Sequence, residues 1–105
     1  MAGRRSLALV GLLLMLVLTV PDGASLFQQH CVGCHVNGGN IIRRNKTLRL
    51  AALERNGILD VAGISAIAAD GVGSMGGYGA VLGPDGAEAV GDWVWQQAQA
   101  GWPRS

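Results

Sequence analysis

Cys31-Val32-Gly33-Cys34-His35 is the stretch on which the reading of this sequence turns. It has the form C-x-x-C-H, the attachment signature for c-type haem. The spacing has a physical basis. On a helical turn, positions i, i+3 and i+4 share a face. Two thiols so placed reach the two vinyl groups of the ring, while the imidazole points at the iron from the same side. Two other chemistries use such cysteines. A thioredoxin-like redox pair needs a βαβ pattern, which the sequence lacks, and a zinc site needs a second pair of ligands, which does not follow.

Upstream of the motif, Arg4 and Arg5 precede an uncharged run of 14 residues, Leu7 to Val20, and then the small residues Gly23, Ala24 and Ser25. This order predicts a secretory signal peptide over residues 1–22, with its boundary between 20 and 25. The alternative is a membrane anchor, yet 14 residues at about 1.5 Å each span about 21 Å, short of the roughly 30 Å hydrocarbon core. Export agrees with haem attachment outside the cytoplasm.

Residues 23–105 form one predicted domain. Beyond Ala24, six basic residues face six acidic ones, so the balance is near neutral. The basic cluster at Arg43, Arg44, Lys46 and Arg49 is too small an excess for a nucleic-acid partner. It reads as a solvated loop or a weak docking patch for an acidic partner. A domain this short, in a chain with 17 glycines, has few side chains for a core, which implies that a bound group supplies buried apolar surface.

The periodicity is that of short helices joined by glycine-rich turns: the class is all-α. Leu26 and Phe27 lead into the cysteines on a first helix, and Asn37-Gly38-Gly39-Asn40 predicts a turn. Thr47 is placed as the cap of a helix that runs through Glu54 and Arg55 and stops at Asn56-Gly57. Asp60 caps the next, which Gly71 ends. Gly71 to Gly83 reads as a loop. Asp85 opens the last helix in a capping-box-like start with Glu88, and Ala87, Val90, Trp93, Val94 and Gln97 lie along one of its faces.

A histidine on one side of the iron leaves the opposite position open. Beyond the leader the sequence offers His30 and Met75. His30 adjoins the attachment turn and is badly placed to reach the far face, whereas Met75 sits in the glycine-rich loop, where the backbone can wrap close to a ring. The alternative is a methionine filling a core gap. His/Met ligation would block substrate access and stabilise ferrous iron.

From Gly23 to Trp102 the sequence resembles the cytochrome c6 family. The matching segments are Gly23-Ala-Ser-Leu-Phe27, Cys31/Cys34/His35, Gly38-Gly39-Asn40, Lys46-Thr47-Leu48, Ala51-Ala52-Leu53-Glu54, Gly71-Val72-Gly73-Ser74-Met75 and Val90-Gly91-Asp92-Trp93-Val94. The resemblance implies a small class I cytochrome c fold, about four short helices around one covalent haem c, with Cys31 and Cys34 attaching the ring and His35 and Met75 as axial ligands. It implies a single-electron carrier, monomeric and not an enzyme, in the thylakoid lumen or periplasm. Its donor would be a membrane complex of cytochrome b6f type and its acceptor photosystem I or a terminal oxidase. Three positions depart from the family pattern. Gly76 replaces the proline after the methionine, Ile67 a glutamine near the haem, and Val81 an arginine implicated in docking to photosystem I. The last two suggest a c6-like paralogue. The rival readings are a haem peroxidase or gas-sensing domain with a labile sixth ligand, and an electron-transfer domain anchored by an uncleaved leader. The family's first helix begins at or before Gly23, so processing is expected upstream of it, or not at all.

Overall fold

The computed structural model describes residues 21–104; the leader assigned to 1–22 lies almost wholly outside them. The first helix, α1 (Gly23–His30), starts where Asp22 accepts a hydrogen bond from the backbone N–H of Ala24, and its Phe27 is buried. A short 3-10 turn follows at Val36–Gly38, with Asn37 and Gly38 both at positive φ, which forms the predicted turn. A second 3-10 turn spans Arg44–Lys46.

Helix α2 (Leu50–Arg55) is shorter than the sequence suggested. Its N-cap is Arg49, without a side-chain cap, and Thr47 stands in extended backbone outside it. Asn56 and Gly57 (φ 74) end it as expected. In α3 (Val61–Asp70), Asp60 Oδ1 accepts from the Gly63 N–H at 2.8 Å, and Gly71 terminates the helix at φ 78.

The last helix, α4 (Gly79–Ala100), departs from the expected boundary. Gly79–Leu82 is a helical turn rather than loop, and the axis breaks at Gly83 (φ 68, ψ 170) before resuming at Pro84. Pro84 suits the first turn after such a break, where its missing N–H has no partner to lose. Among the described residues, neither Asp85 nor Glu88 makes the expected capping-box bonds. There is no β-strand in this region, only an isolated bridge between Val72 and Met75.

Helix α4 packs against both α3 and α1. Two glycines set these crossings. A Cβ on Gly23 would collide with the Ala89 carbonyl and lie 2.9 Å from the Trp93 side chain; one on Gly91 would collide with the Ser65 hydroxyl. The core comprises Phe27, Leu53, Ile64, Ala68, Leu82, Ala87, Val90, Val94, Ala98 and Trp102. Trp102, two residues past the end of α4, is only 6% exposed. Its ring lies 5.6 Å from Phe27 and 5.6 Å edge-on to Trp93.

Candidate haem site

The buried faces of these helices do not close on one another completely. They enclose a cavity of about 270 Å³ walled by Phe27, Leu53, Ile64, Ala68, Val90 and Val94 and completed by Leu48, Ile58 and Ile67. Apolar walls of this extent favour a flat apolar group, which would take their surface out of water. Asn40, Arg43, Lys46 and Asn56 also border it. Lys46 Nζ donates to Asn56 Oδ1 at 2.9 Å, and Asn40 Oδ1 accepts from the N–H groups of Ile42 and Arg43. Arg43 and Lys46 of the basic cluster are exposed, as a solvated loop requires, and also border the cavity.

Cys31, His35 and Met75 all line this space. Directly after α1 the chain makes one further turn, with the N–H groups of Cys34 and His35 both donating to the Cys31 carbonyl, at 3.3 and 3.1 Å. This is the turn that stacks positions i, i+3 and i+4. Cys31 is partly buried, and desolvation pushes its thiol above the ordinary value. Cys34 is exposed and does not line the cavity. His30 lies outside it as well, with its ring 6.4 Å from Tyr78.

The buried His35 has its tautomer fixed by a single bond: Nδ1 lies 2.7 Å from the Gly39 carbonyl oxygen. A carbonyl only accepts, so Nδ1 carries the proton and Nε2 keeps its lone pair for a metal. A carbonyl bonded to Nδ1 in this way also orients the ring and raises its basicity. Met75 comes from a tight lobe whose only main-chain hydrogen bonds among residues 72–77 are the Val72–Met75 pair, at 3.0 and 2.9 Å. The lobe is closed at its neck, where the Gly71 N–H donates to Ile67 and the Tyr78 N–H to Ala68. The residues present therefore fit a covalently attached haem: the Cys31 thiol, a metal-competent imidazole and a thioether against apolar walls, with the Cys34 thiol exposed one turn beyond Cys31.

Residues 19–94 match the family model for cbb3-type cytochrome c oxidase subunit III. The crystal structure of cytochrome c6B from Synechococcus sp. WH8102 is 53% identical and superposes with a TM-score of 0.76, covering 79% of this chain and 94% of that one. Cytochrome c6C from Synechococcus sp. PCC 7002 is 44% identical, with a TM-score of 0.72 and coverage of 74% and 95%. Cytochrome c6 from Aphanizomenon flos-aquae is 39% identical over 83 residues, 79% of this chain and 95% of that protein. The chain belongs to the cytochrome c6 family. Its fold is the class I cytochrome c fold, and the cofactor of the family is one covalent haem c. Cytochrome c6 proteins are electron carriers that act with redox partners. Among the described residues no helix is long and apolar enough to cross a membrane.

The motif residues were visible in the sequence because C-x-x-C-H is local. The Gly39 carbonyl beside His35 was not, because no side-chain pattern marks a backbone acceptor.

Proposed function

We propose that this protein is a c6-like one-electron carrier in which Cys31 and Cys34 hold the ring through thioethers and His35 and Met75 are the axial ligands. The observation that carries the assignment is the His35–Gly39 hydrogen bond, which leaves Nε2 free inside a cavity that Met75 also lines. Bound haem supplies a reversible ferric/ferrous couple. The protein's own part is to hold the imidazole in one tautomer, occupy the sixth position and keep water from the apolar walls. Arg43 and Lys46 are the residues that would meet the ring's carboxylates. No bond chemistry on a substrate is required, and with both axial positions filled the peroxidase and gas-sensing readings lose their open site.

We place the protein in the thylakoid lumen or periplasm after removal of the leader, taking electrons from a b6f-type complex and passing them to photosystem I or a terminal oxidase. A relative in Arabidopsis thaliana is named as chloroplastic cytochrome c6, which supports the first setting. The acceptor is where this chain differs. Ile67 stands in the cavity wall, where a glutamine would add a dipole next to the haem, and Val81 is 63% exposed where an arginine would add a steering charge. The higher identity to c6B and c6C than to c6 agrees with a paralogue.

The test is flash-induced reduction of photosystem I by the purified holoprotein. Slow reduction with little salt dependence is expected, together with a lower potential than a photosynthetic c6. Val81→Arg should raise the rate, since charge steering acts chiefly on association. Ile67→Gln should raise the potential. A wild-type protein that already matches a photosynthetic c6 in both rate and potential would remove the paralogue reading and leave the ordinary donor.

A further inference from the structure

Trp102 has a backbone φ of 55, a left-handed conformation for a bulky residue outside any helix. Such a conformation is disfavoured and persists only where the surroundings over-determine it. Three contacts do so here. The Trp102 N–H donates to the Gln97 carbonyl at 2.8 Å, closing the end of α4. The indole Nε1–H donates to the Leu48 carbonyl at 3.0 Å across 54 residues of sequence. The indole plane lies over Gly38 so closely that a Cβ there would sit 2.5 Å from ring carbons.

These contacts converge on the peptide beneath the proximal histidine. The Leu48 N–H donates to the Gly38 carbonyl at 2.8 Å, so Leu48 is held on one side by the indole and holds Gly38 on the other. The next residue, Gly39, supplies the carbonyl that accepts from His35 Nδ1. Gly38 is itself at φ 78 and, with no side chain, is loose unless something covers it. The indole covers it.

We infer that Trp102 is a positioning residue for His35, clamping the Gly38–Gly39 peptide so that the Gly39 carbonyl keeps its bond to Nδ1 and thereby sets the electron-donating strength of the axial imidazole. The inference rests on His35 as the haem ligand. A firm bond at Nδ1 makes the imidazole the stronger donor and favours ferric iron. Loosening the clamp therefore shifts the couple toward ferrous iron and raises the potential. Plain opening of the core would do the reverse, since water reaching the cavity stabilises the more highly charged ferric state. The sign separates the two.

Trp102→Phe is the deciding variant, because the ring stays over Gly38 while the bond to Leu48 is lost. Two quantities are measured on the holoprotein: the reduction potential, and the exchange rate of the His35 Nδ1 proton by NMR. The ferrous/ferric equilibrium should rise about threefold, which is about 28 mV at 59 mV per decade for one electron. Exchange of the Nδ1 proton should quicken about tenfold as the peptide opens locally more often. Trp102→Ala should move the exchange rate further if it folds, and Trp102→Phe alone suffices if it does not. A Trp102→Phe protein with either quantity at the wild-type value, or with a lowered potential, overturns the inference even if its melting temperature falls. Failure of the ligand assignment would look different: the wild-type ferric protein would then lack paramagnetically shifted His35 ring resonances.

Discussion

Glycines stand both where helices cross and in the Met75 lobe, and what a side chain would meet at them differs. At the packed contacts of α4 and Trp102, Gly23, Gly38 and Gly91 are places where a Cβ would strike a carbonyl, an indole and a hydroxyl, so their lack of a side chain lets elements touch. In the Met75 lobe a Cβ on Gly71 or Gly77, at the neck, would strike backbone as well, whereas one on Gly73 or Gly76 would meet nothing within 4 Å. The first region is cross-linked by a cluster of Phe27, Trp93 and Trp102, with ring centroids 4.9–5.6 Å apart. The second is joined to the body at its neck and by whatever Met75 reaches inside the cavity. Substitutions in the first region should therefore cost stability, and those in the second should alter ligation while the fold stands.

The largest effect is expected at Phe27, which is 2% exposed and belongs to both the aromatic cluster and the cavity wall. Phe27→Ala should destabilise the holoprotein by about 3–5 kcal/mol in urea unfolding. A loss under about 1 kcal/mol would break the contrast, because the dense side would then be no more critical than the open one. Gly23→Ala, which sets a methyl against the Ala89 carbonyl, should cost about 1–3 kcal/mol by overpacking. Asp60→Ala, at the exposed start of α3, sharpens the comparison as a calibration: loss of its bond to the Gly63 N–H should cost about 1 kcal/mol. The smallest effect belongs to the lobe. Gly76 is not in the left-handed region and donates no main-chain hydrogen bond, so Gly76→Ala should stabilise slightly, by about 0.4–1 kcal/mol. Clear destabilisation by Gly76→Ala would mean the lobe is packed after all.

What was legible in the sequence follows the same division between local and distant causes. The attachment turn, the Asp60 cap and the stops at Gly57 and Gly71 are each fixed by residues within four positions, and each was readable. Thr47 failed as a cap because the chain stays extended to Arg49 before α2 begins. The turn at Gly79–Leu82 was hidden by glycines that argue against helix, and it forms where Tyr78 is anchored to Ala68 and accepts from the N–H groups of Val81 and Leu82. Trp102 was the largest omission. It lies beyond the periodic part of α4, and its partners Gly38 and Leu48 are more than fifty residues upstream, so no pattern along the chain marks it as buried. The candidate ligands were readable in the same way, but the carbonyl that selects the His35 tautomer was not.

One further difference between the cysteines can be measured before haem is attached. Burial raises the Cys31 thiol pKa, so at a given pH less of it is thiolate, the reactive form. Alkylation of Cys31 in the haem-free chain should lag behind that of exposed Cys34, and the lag should shrink as pH rises toward the raised value.

The central claim is that His35 and Met75 meet the same haem iron from opposite sides. The most direct measurement is the optical spectrum of the ferric holoprotein beside that of Met75→Ala. The wild type should be low-spin with a weak far-red sulfur-to-iron band. The variant should fold, lose that band, turn high-spin and have a lower potential, since a thioether favours ferrous iron. A high-spin wild type, or a Met75→Ala spectrum identical to it, would contradict the account.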